Sequence, residues 1–120
     1  MEHQITVKGI NISEKDETIV RDEKWRFINN LNHSGVLYAS TRFVSAILNE
    51  TINRFNSNNE QTFPVTDNYY ARELDINDIR SYADMFFSEL KLKNVDSYVI
   101  NYLAGIVKSS IDILEKKCLE

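Results

Sequence analysis

The run VLYASTRFVSAILNETINRFN, residues 36–56, carries apolar side chains at 36, 37, 43, 44, 47, 48, 52 and 55. Steps of three and four sustained over that length place one apolar side on an α-helix. At ~1.5 Å of rise per residue the helix is about 30 Å long, comparable with the diameter of a small domain. A helix of that length predicts a helical fold built around it, and the flanking sequence is read against this spine.

Upstream, Asn32-His33-Ser34-Gly35 reads as a helix stop, with Ser34 placed to cap the spine. Val20, Phe27, Ile28 and Leu31 recur at helical spacing and predict a first helix over 17–31, with Trp25 either a core anchor or an exposed handle. The polar Ser13-Glu14-Lys15-Asp16-Glu17 stretch can cap that helix, its acids at the positive end of the helix dipole. Ile5 and Val7 alternate with polar neighbours, and after Gly9 the pattern continues on the opposite parity at Ile10 and Ile12. One bulged strand or a tight two-strand turn accounts for this, and no other β-structure is expected.

Downstream, the Asn-rich link at 56–61 ends the spine, and about twenty irregular residues follow, including the only proline, Pro64. A loop of such length is more often functional than neutral. Asp75-Ile76-Asn77-Asp78 offers the next N-cap, and Ile79, Ala83, Phe86, Phe87 and Leu90 predict a third helix over 77–92. Lys91 and Lys93 stand at its negative end. A fourth helix over 97–118 presents Val99, Leu103, Ile106, Ile113 and Leu114 to the core. Gly105 in its interior costs about 1 kcal/mol relative to Ala. It shares a stripe with Asn101 and Ser109, which predicts close approach of another helix, of this chain or of a second copy. The expected fold class is mainly α: one domain over 1–120, four helices, a short N-terminal β-strand or hairpin, and a long loop between helices two and three.

At 120 residues, 42% hydrophobic and 27% charged, the chain has the profile of a soluble globular domain, with no apolar run near the ~20 residues of a membrane span. Its start lacks the basic and apolar regions of a secretory signal, so a cytoplasmic protein is expected. The abundance of Asn and Ile over Ala fits an AT-rich coding sequence, as in a low-GC bacterium or a mobile element. The single cysteine, Cys118, excludes an internal disulfide and a multi-cysteine metal site, and no cofactor is expected. A net charge of −4 with scattered Lys and Arg argues against nucleic-acid binding by counterion release.

That whole imbalance lies in residues 60–84, where Glu60, Asp67, Glu73, Asp75, Asp78 and Asp84 face only Arg72 and Arg80. The same segment holds Phe63, Tyr69, Tyr70 and Tyr82. Tyrosines supply binding energy at interfaces, and surrounding carboxylates steer a basic partner. The plainer alternative has Tyr69 and Tyr70 clipping the loop to the helices while the acids sit in water. Asp75, Asn77 and Asp78 do not form a calcium loop, because Arg80 and Phe86 stand where an EF-hand needs Gly and Glu. Nucleophile elbows and phosphate-binding loops are absent.

Thr66-Asp67-Asn68-Tyr69-Tyr70 resembles the Thr-Asp-x-x-Tyr-Tyr neighbourhood of the colicin DNase immunity proteins. Those acidic four-helix proteins use such tyrosines and acids to bind a toxic nuclease. By analogy of chemistry the resemblance implies a basic protein partner such as a toxin or nuclease. In the acidic aromatic segment as a whole, the interaction reading makes Tyr69, Tyr70 and Tyr82 the anchors of the candidate surface, with Asp67, Glu73, Asp75 and Asp78 supplying the complementary charge. Arg26 and His33, six residues between them, resemble the Arg-x4-6-His signature of HEPN ribonucleases, small helical proteins whose pair acts on the scissile RNA phosphate. The leading expectation is a non-enzymatic immunity protein, antitoxin or inhibitor. The alternatives are a HEPN-like ribonuclease and a regulatory adaptor that dimerises through helix four.

Overall fold

The computed structural model describes residues 3–58, 60–65 and 71–118. Its elements run β1 (His3–Lys8), α1 (Glu14–His33), α2 (Tyr38–Asn53), β2 (Glu60–Val65), α3 (Glu73–Leu92) and α4 (Ser97–Cys118). The four helices and the long α2–α3 connection agree with the apolar spacing. The connection itself differs from expectation, since Glu60–Val65 pairs antiparallel with β1, from His3 opposite Val65 to Lys8 opposite Glu60. Pro64 is tolerated there because an edge strand need not donate from every residue. A pairing between positions this far apart in the chain leaves little local signal.

β1 is one strand, and Ile10 and Ile12 beyond it are buried without belonging to a sheet. Gly9 is needed at this exit, because a Cβ there would collide with the backbone oxygens of Arg54 and Ser57. Asn56, in the left-handed region at φ 62°, latches the same place. Its N–H donates to the Ile10 carbonyl at 2.8 Å, and its Oδ1 accepts from the Ile12 N–H at 2.8 Å. Ile5 and Val7 join the core, while the Thr6 and Thr62 hydroxyls bond to each other at 2.8 Å on the exposed side. Tyr102 of α4 clamps the end of β1, its hydroxyl accepting from Lys8 N–H at 3.1 Å and donating to Lys8 O at 2.8 Å.

Ser13 caps α1, its Oγ accepting from Asp16 N–H at 3.1 Å, so the helix starts at Glu14 rather than near 17. Ser34 closes α1 instead of capping α2: its N–H and its hydroxyl both donate to the Leu31 carbonyl, at 3.3 and 3.0 Å. The N-cap of α2 is Leu37, which has no side-chain oxygen to offer. Phe27 of α1 and Phe86 of α3 stack at 5.4 Å in the core. Trp25 is 62% exposed and is therefore a handle rather than an anchor. The expected close packing of a helix of this chain on Gly105 is not found: among the described residues nothing lies within 4 Å of its Cβ position. Helix α4 buries its opposite side through Val99, Leu103, Ile106 and Leu114, which leaves Gly105 facing outward.

Candidate functional site

Helix α3 carries most of the acidic segment. Asp67, Tyr69 and Tyr70 lie outside the described residues, whereas Glu73, Asp75, Asp78, Tyr82 and Asp84 are placed on this helix. They do not share one face, and one of them is not on the surface at all.

Asp75 is fully buried. Its Oδ2 accepts from the Arg72 N–H at 2.9 Å and from Arg72 Nε at 3.0 Å. Its Oδ1 accepts from Arg72 Nη2 at 2.8 Å and from the Leu37 N–H at 3.2 Å. Arg72 Nη2 also donates to the Gly35 carbonyl at 3.1 Å. Burial alone pushes the Asp75 carboxyl up. The hydrogen bonds from Arg72 and Leu37, with the charge of Arg72, outweigh that and hold it below the ordinary aspartate value of 3.8. Asp75 therefore leaves the candidate surface. It ties the start of α2, which lacks a cap of its own, to the start of α3. The helix begins at Glu73 with Arg72 as N-cap, so Asp75 occupies the third helical position, where an acid reaches back to the N-cap amide. Neither Asp75 nor Asn77 is the N-cap.

The remaining residues divide between two sides of α3. Glu73 faces α4 across a cavity of about 260 Å³ that also touches Arg80, Glu115 and Cys118. Asp84 lines a groove of about 370 Å³ with Phe87, Val107 and Lys108. Tyr82 instead faces α1, where a cavity of about 210 Å³ is lined by Glu23, Arg26, Asn30, Tyr82, Met85 and Glu89. The Phe27–Phe86 stack forms its floor. Glu23 is buried in its wall, accepting from Arg26 Nη1 at 3.1 Å and from Lys93 Nζ at 2.5 Å.

Tyr82 belongs to a stripe that the sequence reading overlooked: Leu74, Asp78, Tyr82, Met85, Glu89 and Leu92, in steps of four, four, three, four and three. Such steps keep to one side of a helix. Leu74, Met85 and Leu92 are 60, 54 and 75% exposed, while Tyr82 packs partly against the core. Asp78 and Glu89 make no ion pair among the described residues. Helix α3 thus has two apolar stripes. Ile76, Ile79, Ala83, Phe86 and Leu90 are buried, and the second, interrupted by carboxylates, lies open. The available signal was this second three-four repeat.

Arg26 and His33 both lie on α1, seven residues apart, which is ~10.5 Å along the axis. Arg26 is engaged by Glu23, and His33 Nδ1 is 2.8 Å from the Asn29 carbonyl. No hydrogen bond joins the two. Among the described residues no group of three or more His, Cys, Asp or Glu side chains gathers to hold a metal ion. No described helix is long and apolar enough to cross a membrane.

No protein-family model, curated protein or solved structure matches this chain. The arrangement of the α3 stripe is therefore what a functional reading rests on.

Proposed function

We propose that the protein is a non-enzymatic interaction protein, an immunity protein, antitoxin or inhibitor, that lays the outer stripe of α3 against a basic partner protein. The observation that supports this reading is the second, uncovered stripe, in which exposed Leu74, Met85 and Leu92 alternate with Asp78, Tyr82 and Glu89. An amphipathic helix face read at three-four spacing is a recurrent docking element. An aromatic beside exposed apolar side chains supplies an anchor, and unpaired carboxylates beside it set charge complementarity. A Lys or Arg of the partner fits this arrangement, its apolar stem on Met85 and Tyr82 and its charge on Asp78 or Glu89. Asp67, Tyr69 and Tyr70, which precede the helix in sequence and lie outside the described residues, are part of the proposal on their chemistry alone.

The test compares wild type with Leu74→Ala/Met85→Ala/Leu92→Ala in retention of proteins from native extract, at low salt and at ~0.5 M salt, where the Debye length is short. The substituted side chains are more than half exposed, so the fold persists. A single basic protein held at low salt by wild type and lost by the variant is expected. Equal retention by the variant removes this surface. RNA cleavage that disappears in His33→Ala would replace the reading with a ribonuclease.

A further inference from the structure

A second groove, on the α1/α2 side of the molecule, has a chemistry opposite to that of the chain as a whole. Its volume is about 300 Å³, and its polar lining is Asn32, Tyr38, Thr41, Arg42, Ser45 and Asn49 over an apolar floor at Ile28. No carboxylate lines it, although the protein carries a net charge of −4. Arg42 is exposed and makes no ion pair among the described residues. Of the acids on these two helices, Glu17 is engaged by Arg21, Glu23 by Arg26 and Lys93, and Glu50 by Arg54.

Two further observations point to a missing occupant. Thr41 is only 3% exposed, and its Oγ1 has no hydrogen-bond partner. A buried hydroxyl left unsatisfied in a cavity wall calls for a partner, and a ligand or its bound water can supply one. At the rim, Lys24 Nζ donates to Asn49 Oδ1 at 2.8 Å instead of meeting a carboxylate. Burial and then the charge of Arg21 lower the Lys24 pKa. The ring of Tyr38, 74% exposed, stands over the groove wall.

We infer that this groove is a binding site for a nucleoside monophosphate group. Arg42 pairs with the phosphate, the Tyr38 ring stacks on the base, and the Asn32 and Asn49 carboxamides with the Ser45 hydroxyl meet the polar edges of the base and sugar. Guanidinium with phosphate and aromatic ring with base are the usual recognition pairs for these parts. The phosphate and base can belong to a free nucleotide or to one residue of a single-stranded RNA. A pocket for one phosphate does not need the dispersed basic surface that backbone binding by counterion release requires. The site is independent of the α3 stripe.

The whole protein is titrated with adenosine monophosphate, inorganic phosphate and hexauridine RNA, followed by amide NMR and calorimetry. Adenosine monophosphate is expected to shift the amides of Asn32, Arg42, Ser45 and Asn49 and to bind about tenfold more tightly than inorganic phosphate. Arg42→Ala should weaken it about tenfold and Tyr38→Ala several-fold. Both side chains are exposed, so each variant keeps its fold. Tighter binding of hexauridine, with shifts reaching Trp25, identifies an RNA strand as the source, and otherwise the source is the free nucleotide. The inference is overturned if none of the three ligands shifts these residues at millimolar concentration, if inorganic phosphate binds as well as the nucleotide, or if Arg42→Ala changes nothing.

Discussion

The first turn of α3 and the outer stripe of the same helix are both acidic, and their carboxylates have opposite fates. Asp75 is buried and receives four hydrogen bonds, from Arg72 and Leu37. Asp78 and Glu89, one and four turns further on, make no ion pair among the described residues. The difference follows from what each meets. Near Asp75, α2 begins with an orphan backbone N–H and no capping side chain, and a carboxylate there satisfies a donor that burial would otherwise leave unpaired. Along the outer stripe α1 borders Tyr82, Met85 and Glu89 across a cavity, but no group of the described chain forms an ion pair with Asp78 or Glu89. A run of like charges is thus not one functional unit, since the fold recruits some of its members for structure.

The sharpest way to break this comparison is Asp75→Ala. It strands the N–H groups of Leu37 and Arg72, while the half-exposed Arg72 side chain stays in water, and should lower unfolding free energy by about 1–3 kcal/mol in denaturant titration. Removing Asp78, which is half-buried and makes no ion pair among the described residues, should change stability by no more than about 1 kcal/mol. A comparable loss from both would erase the distinction between the two regions.

Acid titration sharpens the contrast further. The folded-state pKa of Asp75 is depressed, so its contribution is fully present above the ordinary value of 3.8 and is lost as pH falls through the lower folded value. Thermal unfolding of Asp75→Asn should lack that part of the acid limb, whereas Asp78→Asn should retain it.

Binding is expected to divide the helix the other way. Tyr82→Ala should weaken association with the basic partner by about 2 kcal/mol or more, as an interface anchor does. Its half-buried ring also supports the fold, so a calorimetric melt accompanies the binding measurement. The smallest effect belongs to Asp78→Asn/Glu89→Gln: a loss of roughly 1 kcal/mol or less, carried by a slower association rate and a flatter salt dependence. Unchanged salt dependence would show that these acids do not face the partner.

The four helices were legible because each buries a continuous three-four stripe. For Phe27, Phe43, Ile79 and Leu103, burial follows directly from the local pattern. The candidate surface was only partly legible. Charge counting found α3 but could not sort Asp75 from Asp78, because both are aspartates near a helix start and differ only in whether Leu37 approaches. Counting also passed over Met85, Glu89, Leu74 and Leu92, since attention to acids and tyrosines hid a second apolar repeat. The α1/α2 groove was hidden for a related reason: Asn32, Tyr38, Arg42 and Asn49 are unremarkable along the chain and become a set only across two helices.

By itself, the order of residues determined the number of helices, their buried sides and the place of the charge imbalance, because helical periodicity and capping act over a few neighbouring positions. Tertiary structure alone decided that Glu60–Val65 pairs with His3–Lys8, that Gly9 passes against the carbonyls of Arg54 and Ser57, and that Asp75 serves α2 rather than the surface. Those outcomes depend on groups brought together from distant parts of the chain, where steric fit and the satisfaction of buried donors, rather than local propensity, select the arrangement.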